Sequence, residues 1–312
     1  MNRILVGVSL LTLLTLSFFF SGVESTSFKI VNKCRSTIWP GFLSGANSPS
    51  LPTTGFALRS GESRSFHVPR AWSGRFWART HCGRDSAGKF TCLTGDCGSG
   101  RVECEGSGAK PPASLAEFTL NGADGLDFYD VSLVDGYNLP MLIVPRRGTR
   151  GGCGATGCLV DLNGACPAAL RVARESGGRG SVACRSACEA FGDPRFCCSE
   201  AYNTPDTCGP SAYSLFFKHA CPRAYSYAYD DKTSTYTCAS ADYTIIFVPC
   251  LTPADNEQKH GDSSASGVCY ISPFAASNLA VEIGAILQLP CLVLLLFFWP
   301  FLTTVASPVS GQ

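Results

Sequence analysis

The chain has 312 residues, 25 Lys and Arg against 24 Asp and Glu, a net charge of +1, and 18 cysteines, 32 glycines and 19 prolines. This near-neutral balance excludes a nucleic-acid binder driven by a basic surface, and 45% hydrophobic content excludes a disordered chain. The cysteine count is the feature that sets the chain apart.

The N-terminus, MNRILVGVSLLTLLTLSFFFSGVES, places Arg3 before an apolar run from Ile4 to Phe20 and small residues around Ser25. That is the pattern of a cleaved secretory signal, residues 1–25. Export delivers the chain to an oxidising compartment, where many cysteines read as disulfides. FKIVNKC, STIW, RFWART, SLAEFTL, FYDVSLV and DYTIIFV are short β-rich runs separated by Gly, Pro and Asp turns. They predict an antiparallel sandwich or barrel between residues 26 and 250.

Between these runs, GKFTCLTGDCGSGRVEC spaces Cys92, Cys97 and Cys104 by four and six residues, looser than a zinc knuckle. The four histidines, His67, His81, His219 and His260, form no i, i+4 ligand pair. No metal and no cofactor are expected, and Asp96 reads as a turn cap. Further along, SVACRSACEAF from Ser181, with an N-cap candidate, predicts a short helix with Cys184 and Cys188 on one face. Adjacent Cys197 and Cys198 are expected to bridge to different partners. The stretch from Cys153 to Cys221 therefore reads as a compact lobe held by staples.

After Cys250 the chain turns polar, and residues 251–282, including TPADNEQKHGDSSASG, read as a flexible stalk. Residues 283–312 carry an apolar segment, Ile283 to Val305, long enough to cross a bilayer. No Lys or Arg follows Lys259, while Glu282, Pro290 and Pro300 disfavour a permanent span. Small residues at Ala275, Ala276 and Ser277 followed by a terminal apolar tail fit a glycolipid-anchor signal, with a retained membrane helix as the alternative.

Gly88, Phe90, Cys92, Thr94, Gly95, Asp96, Cys97, Gly100 and Cys104 match, position by position, a signature of the thaumatin-like proteins, the pathogenesis-related plant family. RFWART, PASLAEFTL, FYDVSLVDGYNLPM and CGPSAYSLFFKHACPRAYSYAYDD extend the resemblance over essentially the whole of 26–250. It implies a mainly β fold, an antiparallel sandwich with a disulfide-rich, partly helical lobe and a cleft between them. It also implies eight bridges: Cys34–Cys250, Cys82–Cys92, Cys97–Cys104, Cys153–Cys238, Cys158–Cys221, Cys166–Cys184, Cys188–Cys197 and Cys198–Cys208. Cys269 and Cys291 fall outside that set.

Members of the family with an acidic cleft line it with an arginine and four carboxylates, which map here onto Arg79, Glu117, Asp130, Asp135 and Asp230. Alternation in SLAEFTL independently turns Glu117 away from the face of Ala116 and Phe118. In FWART it sets Arg79 on the face of Trp77 and His81. Asp135-Gly136 reads as a turn that brings Asp135 toward Asp130.

The resemblance implies a monomeric, secreted, antifungal defence protein that binds β-1,3-glucan through this cleft. Its expected place is the outer face of the plasma membrane or the cell wall. The alternatives are a weak endo-β-1,3-glucanase with Glu117 as general acid and Asp135 as nucleophile or base, and a surface-anchored protein that engages a wall component or a receptor partner.

Overall fold

The computed structural model describes residues 25–173 and 180–248. Residues 1–24 of the expected signal, the stalk and the C-terminal segment, with Cys250, Cys269 and Cys291, lie outside the described residues, and Ser25 opens the first strand. No helix among the described residues is long and apolar enough to cross a membrane.

In chain order the strands are β1 (Ser25–Asn32), β2 (Trp39–Ser44), β3 (Ser63–Pro69), β4 (Ser73–Arg84), β5 (Phe90–Thr94), β6 (Leu115–Thr119), β7 (Asp127–Ser132), β8 (Met141–Arg146), β9 (Thr156–Cys158), β10 (Arg171–Ala173), β11 (Ser181–Cys184), β12 (Tyr236–Cys238) and β13 (Asp242–Phe247). One sheet runs β3-β1-β13-β8-β9 and the other β12-β7-β6-β4-β2, with β5 hydrogen-bonded to β4. Every pairing is antiparallel except β1 with β13. The mainly β sandwich is the fold implied by the sequence.

The two sheets are joined by an aromatic layer. Phe28 and Tyr243 from one sheet meet Phe76, Phe118 and Tyr129 from the other, and the Phe28–Phe118 ring centroids are 4.8 Å apart, edge to face. All five are at most 3% exposed, so each removes a large apolar ring from water and packs in a favoured aromatic geometry. Trp72 and Phe42 close the layer at one end.

β2, β3 and β8 go beyond the runs expected from β-propensity. β2 is an edge strand that tolerates Pro40, because the N and carbonyl of that residue face away from β4, its carbonyl accepting from the Phe56 amide, so the ladder loses no donor. STIW was expected as a strand, but only Ile38 makes an isolated bridge, to Leu58, before β2 begins at Trp39.

SVACRSACEAF is not one helix. Its first half pairs as β11 with β10, and helix α1 (Ala187–Phe191) starts only after Ser186, whose side chain accepts from the Glu189 amide. The extended backbone of Ser186 makes it the cap and ends the strand-like half. Cys184 and Cys188 thus sit on different elements and bridge to Cys166 and Cys197. Helices α2 (Pro194–Cys197), α3 (Ala212–Ala220) and α4 (Asp231–Ser234) complete the lobe, α3 opening on a reciprocal Ser211–Ser214 capping box.

Among the described residues seven bridges are formed: Cys82–Cys92, Cys97–Cys104, Cys153–Cys238, Cys158–Cys221, Cys166–Cys184, Cys188–Cys197 and Cys198–Cys208. They are seven of the eight that the resemblance implies. Cys250, the expected partner of Cys34, lies outside the described residues.

Candidate functional site

With Phe76, Phe118 and Tyr129 committed to the aromatic layer, the intervening side chains of β4, β6 and β7 must face outward. The register places Arg75 opposite Glu117, and Glu117 opposite Asp130. Three ionisable residues from three strands therefore stand side by side, with neighbouring Cβ atoms about 5 Å apart. The Arg75 guanidinium lies 3.9 Å from Glu117 Oε1, both side chains being roughly two-fifths exposed. A pair this open is worth no more than about 1 kcal/mol, so it orients the groups without locking them.

Two further carboxylates close on this rung. Asp135 sits in a turn in which the Gly136 amide donates to the Leu133 carbonyl. Gly136 has φ +86°, and a Cβ there would lie 2.6 Å from the Cys184 carbonyl, so only glycine lets the turn press against the lobe. The Tyr137 amide donates to that same carbonyl, which pins Asp135 relative to β11. From the opposite side comes Asp231, at the start of α4, its Oδ1 accepting from the Tyr225 hydroxyl at 2.9 Å.

These residues line a hollow of about 310 Å³ that also takes in Ser132 and Ala228. A second hollow, of about 370 Å³, adjoins it and shares Arg75, Glu117 and Asp130.

One cation faces four carboxyl groups. Burial and the neighbouring Glu117 and Asp231 push the Asp130 carboxyl up to about 8, so it carries a proton at neutral pH. Its Oδ1 is buried and meets no hydrogen-bond donor among the described residues. Burial also raises Glu117, with Arg75 opposing and Asp135 reinforcing the shift, and raises Asp135 against the pull of Arg75. The cleft thus combines a carboxylic acid that can donate with carboxylates that can accept.

Glu117, Asp130 and Asp135 are brought together; Arg79 and Asp230 are not. Arg79 lies four residues along β4 from Arg75, about 13 Å away, opposite Trp39 of β2. It is 1% exposed and donates to the carbonyls of Trp39, Pro40, Arg101 and Val102. Burial pushes its guanidinium down to about 10, with Asp96 opposing. Its role is to tie the Cys97–Cys104 loop to the sandwich. Asp96 itself accepts from the amides of Cys92 and Gly98, a turn cap.

Asp230 is equally occupied: its Oδ2 is 2.9 Å from Lys218 Nζ and accepts from the amide and hydroxyl of Ser226, and its Oδ1 accepts from Thr233. The cleft positions belong to Arg75 and Asp231. Arg75 and Arg79 lie on one face of β4, and the register with β6, which reaches Arg75, separates them. For Asp231, the deciding group is Lys218 on α3, which claims its neighbour.

The sequence profile described as the Thaumatin family matches residues 32–249. "Thaumatin-like protein 1" of Arabidopsis thaliana is 58% identical over 236 residues, 74% of this chain and 88% of that protein. A Prunus avium protein named "Glucan endo-1,3-beta-glucosidase" is 50% identical over 80% of this chain and its own entire length. "PR5-like receptor kinase" of Arabidopsis thaliana is 52% identical over 78% of this chain but only 37% of its own. The chain belongs to the thaumatin family.

The two arginines make opposite predictions. Arg79→Ala leaves buried carbonyls without donors and should lower the unfolding free energy by roughly 3 kcal/mol or more. Arg75→Ala should change it by less than about 1 kcal/mol. Equal losses in chemical denaturation would contradict the division of labour.

Asp130 gives a pH prediction. Because the fold favours its protonated form, the stability this carboxyl allows is full below the ordinary value of 3.8 and is lost as pH rises toward 8. Asp130→Asn should therefore gain stability relative to wild type steadily from pH 4 to pH 8. A difference independent of pH, or a carboxyl ¹³C titration midpoint near 4, would refute the assignment.

Proposed function

We propose that this protein is a secreted defence protein, retained at the cell surface through its C-terminal segment, that binds β-1,3-glucan of fungal walls in the cleft around Glu117. The observation that carries the reading is the outward rung of Arg75, Glu117 and Asp130, walled by Asp135 and Asp231. Such a rung offers hydrogen-bond acceptors and one neutral donor to a ligand rich in hydroxyls. A neutral polysaccharide pays no repulsion on entering a cleft of negative potential, whereas an acidic wall polymer does. The Prunus avium relative's name supports a glucan as the ligand.

A second reading, weak endo-β-1,3-glucanase activity, is favoured by the proton held on Asp130 beside carboxylates that remain ionisable. A paired acid and carboxylate is the equipment for glycosidic hydrolysis. On this reading Asp130 is the stronger candidate for general acid than Glu117, because no cation opposes its upward shift. Asp135 remains the candidate nucleophile or base.

Incubation of the purified protein with linear β-1,3-glucan, recording binding and new reducing ends together, tests both. Binding should occur, and Glu117→Gln should weaken it about tenfold through loss of a charged acceptor. New reducing ends that vanish in Asp130→Asn would move the reading to the enzyme. No binding by wild type would leave the carboxyl cluster a structural feature.

A further inference from the structure

The acidic hollow is only half of a longer depression. On the same face of the sheet, two residues along each strand from the Arg75–Glu117–Asp130 rung, lies a second rung: Ser73 on β4, Thr119 on β6 and Phe128 on β7, paired in register. The rungs are about 7 Å apart. The second rung carries no charge and lines the adjoining hollow of about 370 Å³, whose other walls include Gly45 and Ala46. Gly45 keeps this hollow open, since a Cβ there would lie 2.6 Å from Ser73 Oγ.

The chemistry of the two hollows differs. Beyond the charged rung that both share, the first adds the carboxyl groups of Asp135 and Asp231, whereas the second adds only uncharged groups, among them the exposed Thr119 and the half-buried ring of Phe128. Aromatic rings supply a broad apolar surface at little entropic cost, suited to the C–H face of a sugar, while the Thr119 hydroxyl can donate or accept. Arg75, Glu117 and Asp130 are shared, so a ligand crossing the charged rung enters both hollows without a gap.

Building on the glucan reading above, we propose that Ser73, Thr119 and Phe128 form a second, uncharged subsite, and that the ligand is an internal stretch of a linear polysaccharide laid along β4, β6 and β7 over the charged rung. The acidic subsite then selects hydroxyl-rich sugar, and the neutral subsite selects length and absence of branching, because a side branch at the charged rung would collide with Arg75 or the Asp135 turn.

The test is calorimetry of the full secreted chain with linear β-1,3-gluco-oligosaccharides of increasing length, for wild type, Thr119→Trp and Glu117→Gln. Affinity should climb by about tenfold or more between oligosaccharides that fill one hollow and those that reach both. Thr119→Trp fills the neutral hollow from an exposed position, and with it long oligosaccharides should bind no more tightly than short ones. Ala46→Trp, from the facing loop, should do the same and serves where Thr119→Trp fails to fold. Glu117→Gln should weaken every length by a similar factor.

A wild-type ladder with no dependence on length, or one that both tryptophan variants leave intact, overturns the second subsite while the glucan reading stands. Failure of every length to bind wild type overturns both.

Discussion

The aromatic layer between the sheets is the constraint from which the site follows. Phe28 and Tyr243 on one side and Phe76, Phe118 and Tyr129 on the other are almost wholly buried and mutually packed. Because side chains alternate along a strand, a slip of one residue in β4, β6 or β7 would turn one of these rings to solvent and drive a charge into the core. The rings therefore hold the register, and the register sets Arg75, Glu117 and Asp130 in line on the outer face. The cluster of ionisable side chains arises as the reverse side of a packed core.

The lobe completes what the sandwich begins. The Cys166–Cys184 bridge holds β11, and the reciprocal bonds between Tyr137 and Cys184 carry that restraint to the turn of Asp135. Lys218 on α3 fixes Asp230, which leaves the next residue, Asp231, to face the cleft. The Cys158–Cys221 bridge, from β9 to the end of α3, ties the lobe to the sandwich.

Much of this was readable in the sequence, for definite reasons. SLAEFTL and FYDVSLV alternate cleanly, so the outward direction of Glu117 and Asp130 follows from period alone. Asp135-Gly136 is a turn by residue type. What resisted reading were choices between near-equivalent neighbours. Arg75 and Arg79 share a face of one strand, and the choice rests on which of them β6 reaches and which the Cys97–Cys104 loop covers. Asp230 and Asp231 are adjacent, and a lysine on another helix decides between them. SVACRSACEAF divides into strand and helix because of pairing with β10, a contact no local propensity encodes. Pro40 and Gly41 hid β2, whose edge position makes both acceptable.

The proposed glycan site occupies one face of the β4-β6-β7 sheet. Amide chemical-shift mapping of the ¹⁵N-labelled protein with a linear β-1,3-gluco-oligosaccharide tests it most directly, because it reports location as well as binding. The perturbed amides should cluster at Arg75, Glu117, Asp130, Asp135 and Asp231 and extend to Thr119 and Phe128. Perturbations confined to a face away from these residues, or none at saturating oligosaccharide, would contradict it.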